Sequence, residues 1–116
     1  SNYRRIHGKW ENKMNPDDIQ KEYNSPIKPQ NPAVDFRDGK LSIQASSFNY
    51  CHPRHDHGPY TCFEVAYLLG DGIFANIPEL EDTGDDVYGY VDIRQVISLL
   101  YNEGYSSKEI LKILPR

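Results

Sequence analysis

The fifteen residues NYCHPRHDHGPYTCF, positions 49–63, hold both cysteines and three of the four histidines of the chain. Zinc takes four nitrogen or sulfur ligands in a tetrahedron, and the turn of a hairpin can offer them from both sides. The candidate ligands are Cys51, His52, His55, His57 and Cys62, with Asp56 among them. Familiar structural sites draw a close pair of ligands from each of two places. Here the cysteines stand eleven positions apart with the histidines crowded between them, a looser pattern.

Three other chemistries draw on the same residues. A Cys51–Cys62 disulfide would form if neighbouring strands brought the two sulfurs within bonding distance. Either cysteine, beside a histidine oriented by Asp56, would be the nucleophile of a cysteine-dependent hydrolase. Arg54, set among histidines, would hold a phosphate or carboxylate. The plain reading is a polar turn with solvated or structurally bonded histidines, and residue types alone favour it.

Size and composition narrow the context. A chain of 116 residues suits one domain with a real core. Hydrophobic residues make up 38% and mean hydropathy is −0.72, but residues 41–69 and 87–114 carry most of the apolar side chains. The core is expected from those two regions. No apolar run approaches the roughly eighteen residues of a membrane span. Two cysteines without a visible apolar leader fit a reducing cytoplasm, with thiols free or metal-bound.

The net charge of −4 is concentrated: residues 71–91 hold six acidic and no basic side chains. A protein that tracks phosphates usually carries a basic stripe, and its absence disfavours nucleic acid as a partner. The stretch EDTGDD, positions 81–86, does not fit a calcium loop. With Gly89 at the sixth position, Gly84, Tyr88 and Gln95 fall where oxygen ligands are required. A solvated loop, or a surface for a basic partner, fits better.

Local patterns supply the elements that must position the loop. LSIQASSFNYC alternates Leu41, Ile43 and Ala45, then shifts parity to Phe48 and Tyr50, which predicts a strand with a bulge at Ser46-Ser47. TCFEVAYLL sets Phe63, Val65, Tyr67 and Leu69 toward the core. With Tyr50 also inward, Cys51 and Cys62 would both face away from it. A long-loop hairpin over 41–69 follows, opened by the Asp38-Gly39 turn. VYGYV, 87–91, reads as a third short strand. Asp92 caps a helix with Ile93, Val96, Ile97 and Leu100 on one face, and Gly104 stops it. A capping box at Ser106–Glu109 opens a second helix that buries Ile110, Ile113 and Leu114.

Upstream, Asn15, Pro16, Asp17 and Asp18 start a short helix with Ile19 and Tyr23 on a common face. Pro26, Pro29 and Pro32 repeat at the polyproline II period and read as a stiff connector. Tyr3, Ile6 and Trp10 are expected anchors of the segment before it. The fold expected is α+β: a small antiparallel sheet with a long-loop β-hairpin, packed against two C-terminal helices. Residues 1–34 form an extended arm and 35–116 the single domain.

Tyrosine is abundant, and Tyr50, Tyr60, Tyr88 and Tyr90 with Arg54 are the expected partner-binding residues. Tyrosine buries area while keeping a polar tip, which suits protein interfaces. GYSSKEILKIL resembles part of a helix-turn-helix, but Lys108 and Lys112 supply little positive charge, and a packing pair of amphipathic helices accounts for the pattern.

LSIQASSFNYCHPR, GPYTCFEVAY and DVYGYVDIRQVI together resemble a pattern in small uncharacterised prokaryotic proteins, often of phage or mobile elements. These share an S-I-Q-A-S strand, a Y-C-x-P-R turn and a V-Y-G-Y-V segment, matched here over residues 41–104. The resemblance implies a phage or mobile-element accessory factor that binds a host protein. Tyr50, Cys51, Pro53 and Arg54 would be its centre, and the remaining histidines particular to this chain. The leading expectation is a non-enzymatic domain that binds another protein and needs no cofactor. Its competitor is a zinc-binding or cysteine-dependent hydrolase centred on the 51–62 loop.

Overall fold

The computed structural model describes residues 5–6, 9–10, 15–24 and 29–116. Phe36-Arg37-Asp38-Gly39 makes a two-residue turn, with Arg37 at φ 51°, in the left-handed region that tight hairpins require. It joins β3 (Val34–Phe36) to β4 (Gly39–Gln44). β4 pairs antiparallel with β5 (Cys62–Leu68), the central strand. The far edge of β5 is shared by β6 (Phe74–Ala75) at one end and β7 (Tyr88–Asp92) at the other, both antiparallel. A separate two-stranded pairing joins β1 (Arg5–Ile6) to β2 (Lys9–Trp10). α1 spans Pro16–Asn24, α2 spans Ile93–Asn102 and α3 spans Ser107–Ile113.

This is the expected α+β architecture, an antiparallel sheet with two C-terminal helices packed on it. Alternation does the work: Leu41, Ile43, Phe63, Val65 and Tyr67 all turn to one face and are buried. Val96, Leu99 and Leu100 of α2 and Ile110 of α3 complete that core. Each such side chain, fully buried, contributes about 1.5–3 kcal/mol before chain entropy is charged against it.

The helix ends follow local chemistry. The Asp92 carboxylate accepts from Arg94 N, and the Ser106 and Glu109 pair forms the reciprocal capping box. Those Ser106 bonds hold the Glu109 carboxyl below the usual carboxylate range, the backbone N–H being the larger cause. Gly104, at φ 91°, donates to Tyr101 O while Tyr105 N donates to Leu100 O, closing α2 in a Schellman turn. Asn15 accepts from Asp18 N and caps α1, but Ile19 and Tyr23 on its apolar face are exposed.

Two polar ties fasten the elements. Asn31 donates through Nδ2 to Ile43 O and Ile113 O, and its backbone exchanges two bonds with the Gln44 side chain. That amide stands in for a further rung of the β3–β4 ladder. Arg37 binds Glu79 and Glu103, joining the hairpin turn to the 77–80 loop and the end of α2. The hydrogen bond from Arg37 lowers the Glu79 carboxyl, and the same contact raises the arginine. Pro26 and Tyr3 lie outside the described residues, and for Ile6 and Trp10 only strand pairing is described. Pro29 and Pro32 are exposed.

Candidate functional site

The loop between β4 and β5 begins with a detour. Gln44 pairs with Glu64, and the next residue to meet β5 is His52, bridged to Cys62. Eight positions on one side therefore answer two on the other, so residues 46–51 bulge out of the ladder. The expected bulge at Ser46-Ser47 within a continuing strand is corrected: the strand ends at Gln44 and the chain makes a loop there before it rejoins β5 at His52.

Glu64 holds the detour from below. Its carboxylate accepts from Asn49 Nδ2 at 2.8 Å and from Tyr50 N at 3.2 Å. Ser46 Oγ donates to Asn49 Oδ1, and Asn49 N donates to Ser46 O. The Cys51 thiol lies 3.2 Å from Ser46 O and 3.4 Å from Pro53 O. Beyond it, the peptide bonds before Pro53 and Pro59 are cis. Asp56 accepts from both the backbone and hydroxyl of Ser47, and Tyr60 OH donates to His55 O.

This geometry corrects the parity expected of Cys51 and Tyr50, while Cys62 alternates with buried Phe63 as expected. Cys51 is fully buried in the core, while Cys62 is half-buried. Tyr50, expected inward, is 40% exposed. Alternation applies within a strand, and the strand has ended at Gln44, so counting parity across the detour misplaces both residues. No disulfide joins Cys51 and Cys62. His52, His55 and His57 are exposed, with the His55 and His57 rings stacked at 6.3 Å. Among the described residues, no three of histidine, cysteine, aspartate or glutamate gather where a metal ion would sit. Asp56 accepts from Ser47, and Cys51 faces the core.

The five expected partner-binding residues divide. Tyr60 and Tyr88 are each 5% exposed and belong to the core. Tyr88 OH accepts from Ile77 N, and the Tyr60 ring packs 6.0 Å from Phe63. Tyr50, Tyr90 and Arg54 come together instead. The Tyr50 and Tyr90 rings lie 6.0 Å apart at 47°, and the Arg54 guanidinium carbon lies 5.6 Å from the centre of the Tyr50 ring. Tyr90 N donates to Tyr50 O at 2.9 Å, locking the two backbones.

Gly89, which sequence reasoning missed, makes this approach workable, as Glu64 does from the neighbouring strand. A Cβ at Gly89 would stand 3.0 Å from Tyr50 Cβ, so glycine leaves the room that Tyr50 occupies. Tyr90 sits at φ 54° where β7 slips register against β5, and it is 53% exposed. A non-glycine residue held there costs about 1–3 kcal/mol. The Y-G-Y spelling of 88–90 was the one available signal, a glycine between two large rings. Glu64 carried none, since an outward-facing acid on a strand is ordinary.

The remaining polar group of note is Arg54 Nε. It is enclosed and donates to nothing, and Arg54 makes no hydrogen bond or ion pair among the described residues. On the sheet face away from α2, a shallow cleft of about 580 Å³ runs past Phe48, Glu64, Phe74 and Val87. The acidic residues Glu81, Asp82, Asp85 and Asp86 are exposed.

Among the described residues, no helix is long and apolar enough to cross a membrane. Comparison with protein-family models, curated proteins and solved structures returns no match.

Proposed function

We propose that this domain is a non-enzymatic protein-binding module whose contact surface is centred on Tyr50, Tyr90 and Arg54. One observation carries the reading: two tyrosines, 40% and 53% exposed, are held ring beside ring by a backbone hydrogen bond, with an arginine against one of them. Tyrosine and arginine dominate the energetics of protein interfaces because they offer large, stiff, amphipathic area. Here the rings are preorganised, so a partner would spend little side-chain entropy in engaging them. The left-handed Tyr90 strengthens the reading. Strain of this kind collects at functional positions, and here it falls on an exposed aromatic residue.

Selection of a random peptide library on the immobilised full chain tests this. The expected result is a convergent family of peptides that binds the protein and fails to bind a Tyr50→Ser, Tyr90→Asn double variant. Peptides that bind both proteins alike, or no enrichment over an unrelated protein, would overturn it.

A further inference from the structure

We infer that Arg54 anchors a carboxylate of the partner, an aspartate or glutamate side chain within an acidic peptide segment whose neighbouring apolar residue lies over Tyr50 and Tyr90. The inference rests on the protein-binding reading above and specifies its ligand chemistry.

The guanidinium is the starting point. Arg54 is half-buried and stacked on Tyr50, yet it makes no hydrogen bond or ion pair among the described residues. An arginine in a folded protein ordinarily meets a carboxylate, a carbonyl or open water, because its donors are costly to leave unmade. Nε is enclosed without an acceptor, whereas the terminal nitrogens keep some contact with solvent. Those two NH₂ groups form the end-on fork that matches both oxygens of a carboxylate. The Tyr50 ring, 5.6 Å from the guanidinium carbon, holds the cation beside it by cation–π attraction.

The loop from His52 to His57 carries Arg54 and a single acid. That acid, Asp56, binds Ser47. Among the described residues no carboxylate pairs with Arg54, so an acidic segment approaching this loop meets no competitor there. The exposed pair of tyrosine rings beside the fork supplies apolar area for the residue next to the acid.

Small probes test the anchor directly on the full chain. Benzoate joins a carboxylate to a ring, benzyl alcohol keeps the ring without the charge, and phenyl phosphate exchanges the anion. Titrations followed by ¹H–¹⁵N spectra are expected to show saturable benzoate shifts at the Arg54 side chain and the Tyr50 and Tyr90 amides. Benzyl alcohol should show no such saturation. Arg54→Gln should abolish the benzoate shifts, and Arg54→Lys, which keeps charge but lacks the fork, should weaken binding by about tenfold. If Arg54→Gln does not fold, the lysine variant decides.

Benzoate that binds no better than benzyl alcohol, or binds Arg54→Gln as it binds the parent protein, would overturn the inference. So would phenyl phosphate binding more than about tenfold tighter than benzoate, since the anchor would then be a phosphate site. If peptides that depend on Tyr50 and Tyr90 are selected while benzoate fails, the binding surface stands and the carboxylate anchor falls. If benzoate saturates and no peptide is selected, the anchor stands and the peptide-binding reading falls.

Discussion

The carboxylate of Glu64, on the central strand, accepts a hydrogen bond from the backbone N–H of Tyr50 across the sheet. Through that bond, and its companion from Asn49, β5 sets the height at which Tyr50 leaves the fold. Glu64→Ala is expected to cost about 1–3 kcal/mol, because two donors lose their acceptor. Denaturant unfolding measures the loss, and amide exchange at Tyr50 should accelerate. Unchanged Tyr50 exchange would mean the loop is held by other contacts.

Gly89 is the second support. A methyl group there meets Tyr50 Cβ at 3.0 Å, so Gly89→Ala should push the Tyr50 ring away from Tyr90. Peptide affinity is expected to fall at least severalfold, while stability falls by about 1–3 kcal/mol. Tyr50 ring shifts in the NMR spectrum that match the parent protein would contradict this.

The two thiols should behave differently. Cys51 is enclosed in the core and Cys62 is half-buried, so alkylation of the native protein should modify Cys62 first and Cys51 only on unfolding. Mass spectrometry of iodoacetamide-treated protein, digested after quenching, reads the order. Native-state labelling of Cys51 at the rate of Cys62 would place Cys51 outside the core.

Acid should weaken the fold by a route that can be traced. Glu79 is lowered chiefly by its hydrogen bond from Arg37, and Glu109 chiefly by the backbone N–H of Ser106. A carboxyl lowered in the folded state binds fewer protons there than in the unfolded chain. Its contribution is therefore complete above the ordinary carboxylate range and is lost as pH falls through the lowered values. Both groups are exposed, so screening keeps the effect small. Thermal unfolding against pH should show this slope, and Glu79→Gln should flatten it. An unchanged slope in that variant would remove the Arg37 contact as a cause.

Much of this architecture was legible because its signals are local. The Asp38-Gly39 turn, the alternation of Phe63, Val65 and Tyr67, the Asp92 and Ser106 caps and the Gly104 stop each depend on a few neighbouring residues. The direction of Cys51 does not. It is decided by a six-residue detour that Glu64 pins from a different strand, and no period in the sequence records that. The tyrosines make the same point. Tyr60 and Tyr88 are indistinguishable in type from Tyr50 and Tyr90, and what buries the first pair is tertiary: Phe63 beside one ring, Ile77 N on the other hydroxyl. The crowding of histidines was visible at once, yet their side chains end at the surface.

Tyr90 offers the most direct test of the binding surface. Asparagine tolerates the left-handed backbone better than tyrosine, so Tyr90→Asn should keep or raise the melting temperature. The same substitution removes an exposed ring from the proposed contact surface, and the affinity for a selected peptide should drop by about tenfold or more. Calorimetric melting and titration of that one variant, beside Tyr101→Ser as an exposed tyrosine on α2, give both readings. A stable Tyr90→Asn protein that no longer binds, with Tyr101→Ser binding normally, is the expected result. Undiminished affinity in Tyr90→Asn would contradict a contact surface centred on Tyr50, Tyr90 and Arg54.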